Sequence, residues 1–244
     1  MLPLDKRIQR VHRPPLRAER VYAKQLSRLA SQVGHIIGAF EPGDMGRVPT
    51  LTDMLRKYAE AFVPWATATA SKMLDEVNTS DLKRWQQMSA EMSAGMKLEV
   101  RNAPTGEIMR RLLAEQVTLI KSIPLDAAQR VHELTIKAVE DGTRAKEIAA
   151  EIMRSGDVAK SRAMLIARTE TSRAQSNFTQ ARAQHVGSEG YIWRTSQDGD
   201  VRPSHKAMNG KFVRWNEQPT LDGMTGHAGC LPNCRCWADV VLKD

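Results

Sequence analysis

The chain has 244 residues, 41% of them apolar and 26% charged, with a formal net charge of +8. That is enough length to bury a substantial core in one large or two small domains. No run of about 18 apolar residues exists for a membrane span, and the N-terminus lacks the apolar segment of a secretory signal. Aromatic residues are only 5%, against 12 methionines, which favours an aliphatic, helical interior over a large β-sandwich. The charge is uneven. Residues 1–28 carry +6 of the net +8, with Arg7, Arg10, Arg13, Arg17 and Arg20 as a basic arm suited to phosphates or an acidic protein surface.

In chain order, the periodicity of Leu16, Ala23, Leu26, Ala30, Val33 and Ile37 predicts a helix from Arg17 to Phe40. The Pro- and Gly-bearing stretch 41–50 reads as a loop. A second helix starts near Thr50 or Thr52, and Pro64 should kink or end it. Helical pattern resumes to about Val77, and the NTSD stretch (78–81) reads as a turn that caps a further helix to about Gly95. NAPTG (102–106) breaks the chain again, and Thr105 can cap a helix over roughly 106–121. Pro124 suits the first turn of the next helix, which should end near Asp141. Residues 143–155 predict a short amphipathic helix with Ile148, Ile152 and Met153 inward. A long helix capped by Asp157 or Ser161 then runs to about Val186 and stops at Gly187.

After Gly187 the texture changes. The segment 191–195 alternates, with Tyr191, Trp193 and Thr195 on one face. Asp198-Gly199 suits a tight turn, residues 203–209 make one helical turn, and 211–215 reads as a short strand. Residues 220–233 read as a long irregular loop, and 234–242 as a final strand. Trp193, Trp215 and Trp237 fall one in each of the three strands. The expected fold class is α+β: a mainly helical N-terminal part with long helices, then a small C-terminal α+β module with a short antiparallel sheet. The expected organisation is a basic arm and helix over 1–40, a helical region over 41–123 and a third domain over 124–244, with its sheet portion at 188–244.

Four constellations could carry chemistry. All three cysteines, Cys230, Cys234 and Cys236, fall in the last 15 residues, with His227 and His205 upstream. Residues i and i+2 of a strand point the same way, so Cys234 and Cys236 would present both sulfurs to one side. A tetrahedral zinc needs four N/S ligands, and these five residues offer enough. Packed, reduced thiols with ordinary histidines are the plainer alternative. The second constellation is Arg168, Glu170 and Arg173, where Glu170 and Arg173 can pair at i,i+3; such a helix is expected to dock its charged face on the sheet near Asp200 or Arg202. The third, Asp198, Asp200, Arg202, His205 and Asn209, invites comparison with His-metal nucleases but lacks a following helix for metal ligands. The fourth, residues 142–153 with the next helix, has the outline of a helix-turn-helix but no clear base-reading face.

Three ordered motifs add to this: ARTETSRAQ (167–175), YIWRTSQDGDVRPSHKAMNGKFV (191–213) and PNCRCWADVV (232–241). Together they resemble the phage Mu F-like minor head protein family, over roughly residues 105–244 and most strongly over 160–240. Arg168, Glu170, Arg173, Trp193, Asp200, Arg202, His205, Gly210, Cys234 and Cys236 match motif positions, and the resemblance assigns catalysis to none of them. The family pattern usually has a Pro-rich approach to its N-C-R-C ending. Here the approach is GHAGCLPN, with His227 and Cys230 added. The resemblance implies a non-enzymatic minor capsid (head morphogenesis) protein of a tailed phage or prophage, sited at the portal vertex or capsid interior of the virion and in host cytoplasm during assembly. Portal, major capsid or scaffold protein are its implied partners, with nonspecific DNA contact through the arm and no membrane. A metal-dependent nuclease (or toxin-like catalytic domain) and a zinc-stabilised DNA-binding module are the competing readings. No G-x-x-x-x-G-K-[ST] loop occurs, which excludes a P-loop packaging motor.

Overall fold

A computed structural model describes residues 15–39, 45–88, 94–141 and 145–242. Among the described residues six α-helices precede a small sheet: α1 (Leu16–Gly38), α2 (Val48–Ala61), α3 (Val63–Met88), α4 (Ala94–Asn102), α5 (Thr105–Asp141) and α6 (Ala145–His185). Then follow β1 (Gly190–Arg194), α7 (Pro203–Met208), β2 (Phe212–Arg214), β3 (Thr220–Leu221), β4 (Met224–Thr225) and β5 (Trp237–Val241). The class is α+β with long helices and a short C-terminal antiparallel sheet, as expected. No helix among the described residues is long and apolar enough to cross a membrane. The arm residues Arg7, Arg10 and Arg13 lie outside the described residues, as do residues 41–44 of the expected loop; the rest of that stretch is a 3-10 turn (Met45–Arg47) and the start of α2, not loop. Arg17 and Arg20 sit exposed on α1, where Arg17 pairs with Glu76 at 3.5 Å.

The chain divides into two compact units, each assembled from separated stretches. One comprises Arg20–Ser71 and Leu113–Ala167. Its core is almost wholly aliphatic, with Leu26, Val33, Ile37, Leu51, Leu55, Ile120, Ile123 and Val131 buried. Pro64 does what its chemistry requires: α2 ends at Ala61, and Pro64 falls in the first turn of α3.

Two expected helix breaks in this unit are absent. α5 runs straight through Pro124. An interior proline costs about 3 kcal/mol, whereas burying Ile120 and Ile123 on either side gains about 1.5–3 kcal/mol each, so packing wins. The short helix and the long helix expected on either side of residue 156 are one continuous α6. Gly156 serves close packing here: a Cβ on it would lie 3.1 Å from the Cα of Gly34. Ile148 and Ile152 face inward as expected, but Met153 is exposed. An unbroken α6 also removes the helix-turn-helix reading, because no separate recognition helix follows residue 153.

The other unit comprises residues 1–19, Lys72–Leu112 and Arg168–Asp244. Its three-stranded antiparallel sheet has the order β2-β1-β5. Ile192 pairs with Phe212 and with Asp239, and Trp193 pairs with Ala238. Gly190 pairs with Arg214 and has no room for a side chain, since a Cβ would meet the Val213 carbonyl oxygen at 2.3 Å and the Phe212 ring at 2.6 Å. Tyr191, Trp193 and Thr195 are all buried, as the alternation predicted. The sheet packs with Trp85 of α3 and Val100 of α4 around Trp193, Trp215 and Leu231. Trp215 directly follows β2.

The expected irregular loop at 220–233 contains a hairpin, β3–β4, with Thr220 paired to Thr225. Asp222 and Gly223 both have positive φ, 53° and 75°, as a two-residue turn of the I′ type demands. The final strand starts at Trp237, three residues later than expected.

The expected turn at 78–81 is helical throughout, within α3. Asp81 is buried there. Its carboxylate accepts hydrogen bonds from Thr179 at 2.6 Å and from Gln175, and pairs with the equally buried Arg182. Asn78 accepts a further bond from Arg182 at 2.6 Å. These partners satisfy side chains that would otherwise compete with the helix backbone. Burial pushes the Asp81 carboxyl above its usual range, while Arg182 and Thr179 pull it back.

Candidate metal centre

Three of the five expected ligands converge. Pro203 starts α7 in its first turn, and the helix directs His205 inward to 2% exposure. Cys234 and Cys236 lie in the extended approach to β5, both 3% exposed. The His205 Nδ1 is 3.5 Å from the Cys234 sulfur and 3.5 Å from the Cys236 sulfur. All three donor atoms fall within 4.8 Å of one another, and this is the one such His/Cys/Asp/Glu group among the described residues. The Cys236 amide donates to the Cys234 sulfur at 3.4 Å. Trp193 closes the far side, its ring edge-on to His205 at 5.7 Å.

The two thiols compete for one proton. The Cys236 thiol donates toward the Cys234 sulfur, which together with His205 outweighs burial and brings the Cys234 thiol down to about 4. The same hydrogen bond, aided by burial, pushes Cys236 up. Beside them is a cavity of about 70 Å³ lined by Asp200, Val201, Arg202, His205, Asn233, Cys234, Arg235 and Cys236. The buried His205 Nε2 and Arg202 Nη1 have no hydrogen-bond partner. The other Arg202 nitrogen donates to the Pro232 carbonyl at 2.7 Å.

The remaining two candidates are placed elsewhere. His227 uses both ring nitrogens in the core. Its Nε2 donates to the Trp215 carbonyl at 3.1 Å, and its Nδ1 is 3.2 Å from the Tyr191 hydroxyl. A carbonyl only accepts, so the ring is the Nε2–H tautomer and the tyrosine hydroxyl donates to Nδ1. The same hydroxyl accepts from the Ala228 amide at 3.1 Å. Burial holds the His227 imidazole below its usual range, consistent with a neutral ring. Cys230 falls outside the group of three, and burial pushes its thiol up. Spacing along the chain offered no way to sort these five, because only the fold decides which turn faces His205.

The other motif residues serve structure. Glu170 pairs with Arg173 at 2.6 Å, the expected i,i+3 contact. Arg168 does not face the sheet as expected; it pairs with Glu19 of α1 at 3.6 Å. Thr169 makes the link instead, accepting from the Asn233 amide at 3.1 Å. Asp198 and Asp200 both bind Arg235, at 2.9 and 3.0 Å, rather than Arg202. Asn209 accepts from the Thr195 amide at 3.1 Å, and Gly210 takes a positive φ of 83° at the end of α7. Of the nuclease constellation, Asp200, Arg202 and His205 therefore line one cavity, whereas Asp198 and Asn209 are placed by contacts outside it. Sequence reasoning missed the Asp81–Arg182 network. The signal was present in Gln175, Thr179 and Arg182, a polar stripe at i, i+4 and i+7 on an otherwise small-residue helix face.

Residues 129–238 match the model of a protein family described as "Phage Mu protein F like protein". Over this segment the chain is similar to the Mu F-like family. The matched segment ends inside β5 and contains the whole His205–Cys234–Cys236 group. The chain is also 34% identical over 167 residues to an uncharacterized protein of Haemophilus influenzae, covering 65% of this chain and 37% of that protein. The chain thus spans little more than a third of that relative's length. No solved structure matches it.

Proposed function

We propose that this protein acts in phage head morphogenesis as a minor capsid component, associating with portal and capsid protein during procapsid assembly and DNA packaging or delivery. The observation that carries this reading is the family match over 129–238. The geometry fits it. The motif residues hold one another: Glu170 holds Arg173, Arg235 holds Asp198 and Asp200, and Asn209 holds Thr195. A module spent in this way on internal bonds suits a rigid docking unit better than a catalytic one. The basic arm over 1–28 is the candidate anchor, on packaged DNA or on an acidic portal surface.

The test is co-expression with the portal, scaffold and major capsid proteins of the same prophage, followed by isolation of procapsids. The protein is expected to sediment with procapsids at low copy number, and less of it once residues 1–28 are removed. Recovery entirely as free protein would overturn the proposal. Incubation with plasmid DNA and Mg²⁺, Mn²⁺ or Zn²⁺ tests the nuclease reading. Cleavage abolished by His205→Ala would replace the present reading with an enzymatic one.

A further inference from the structure

We propose that His205, Cys234 and Cys236 bind one zinc ion through Nδ1 and the two sulfurs, with the fourth coordination position open to the adjoining cavity. The distances already have the dimensions of the site. Zinc bonds of about 2.3 Å to sulfur and about 2.05 Å to nitrogen, set at the tetrahedral angle, give an N···S edge of about 3.6 Å. Both observed N···S separations are 3.5 Å. Without a metal the arrangement is poorly satisfied. Whichever way the protons are placed, one imidazole nitrogen can bond only one sulfur in its ring plane, yet two sulfurs sit equidistant from it. A cation at the centre of the group uses the nitrogen's lone pair and both sulfurs at once. The Cys236 amide pointing at the Cys234 sulfur is the kind of outer contact that steadies a thiolate ligand.

Charge and chemistry select the metal. Two thiolates and a neutral imidazole are a soft, borderline set that suits zinc rather than magnesium or calcium. Binding forms two Zn–S bonds and one Zn–N bond, and the thiol protons leave to solvent. The resulting unit is electrically neutral, which fits a site this deeply buried. The open position follows from what is not in reach. The Cys230 sulfur and the His227 ring lie outside the group, and both nitrogens of that ring are engaged elsewhere. The cavity has ample room for water; one molecule would fill the fourth position, and others can accept from the partnerless Nε2 and Nη1 protons. Such an ion would tie α7 to the approach of β5, cross-linking a unit whose three strands span 13 residues.

The experiment uses the full chain, purified with reductant from zinc-supplemented cells. Elemental analysis should find about one zinc per chain. After chelation, Co²⁺ titration should restore one equivalent, with the thiolate charge-transfer and intense ligand-field bands of a tetrahedral site. His205→Ala, Cys234→Ser and Cys236→Ser should each abolish zinc retention, while Cys230→Ser should leave it near one per chain. Where a variant fails to fold, the Co²⁺ titration of the wild-type chain decides. A folded wild-type chain holding under about 0.1 zinc and developing no cobalt–thiolate absorption overturns the proposal. Loss of zinc from Cys230→Ser overturns the three-ligand site with its open position.

Discussion

The two units bury different kinds of side chain. The Arg20–Ser71/Leu113–Ala167 unit is a helical assembly whose interior is mostly leucine, isoleucine, valine and alanine, with the Tyr22–Gln116 hydrogen bond as a buried polar pair. The unit carrying the sheet buries Tyr191, Trp193, Trp215, His205, His227, Asp81, Arg182 and two cysteines. Long amphipathic helices can fill a core by area alone. Three strands of five, three and five residues cannot, so polar groups that bond one another must occupy part of the interior. The first unit should therefore fail gradually with lost volume, and the second abruptly with a lost partner.

Asp81→Ala gives the sharpest contrast. It leaves Arg182 buried without its counter-charge, and should cost about 3–5 kcal/mol in the sheet-bearing unit. Hydrogen exchange should show that loss in residues 168–242 before it reaches the helical unit. A joint Asp81→Leu, Arg182→Met variant should recover most of it, since removing both charges removes the unpaired one. Recovery no better than Asp81→Ala would deny the pair its role. In the helical unit, Leu55→Ala removes a fully buried side chain and should cost about 3 kcal/mol by urea denaturation, as a cavity effect.

Acidification should separate the units further. His227 is neutral in the fold because burial lowers its pKa below the unfolded value of about 6.5. The unfolded chain therefore binds more protons below that pH. The contribution is present above about 6.5 and is lost as pH falls toward the folded pKa, at no more than about 1.4 kcal/mol per pH unit for one proton. Melting temperatures over pH 7 to 5 should fall less steeply in His227→Gln than in wild type. Equal slopes would remove His227 from the account. The smallest effect concerns Gly156→Ala. Helix propensity favours alanine by about 1 kcal/mol, but the new Cβ meets the Gly34 backbone at 3.1 Å. Backbone yields less readily than a side chain, so a net loss of about 1 kcal/mol is expected. A raised melting temperature would show that the α1–α6 contact can open.

Much of the fold was legible. Period-3.6 patterns marked the helical part, and alternation around Trp193 and Trp237 marked the sheet. The errors share one cause. Pro124, Gly156 and the 78–81 stretch are local stop signals, and each lies inside a helix whose tertiary contacts outweigh the local preference. The Asp222-Gly223 turn was the opposite case, a strong local signal passed over because only two-residue strands flank it. Within the candidate site, clustering of cysteines near the end of the chain drew notice to the right region. It did not separate Cys234 and Cys236 from Cys230, nor His205 from His227.

Composition, periodicity and motif order by themselves determined the fold class, the place where helices give way to sheet, and the resemblance to the Mu F-like family. Those properties follow from local chemistry: side-chain spacing, turn residues and the types of group present. Tertiary structure alone decided which stop signals are overridden, that Asp81 finds Arg182 across 101 positions of chain, and that one imidazole nitrogen sits between two sulfurs. Each of those is a balance between a local cost and a contact made by residues distant in sequence, and the contact exists only once the chain has folded.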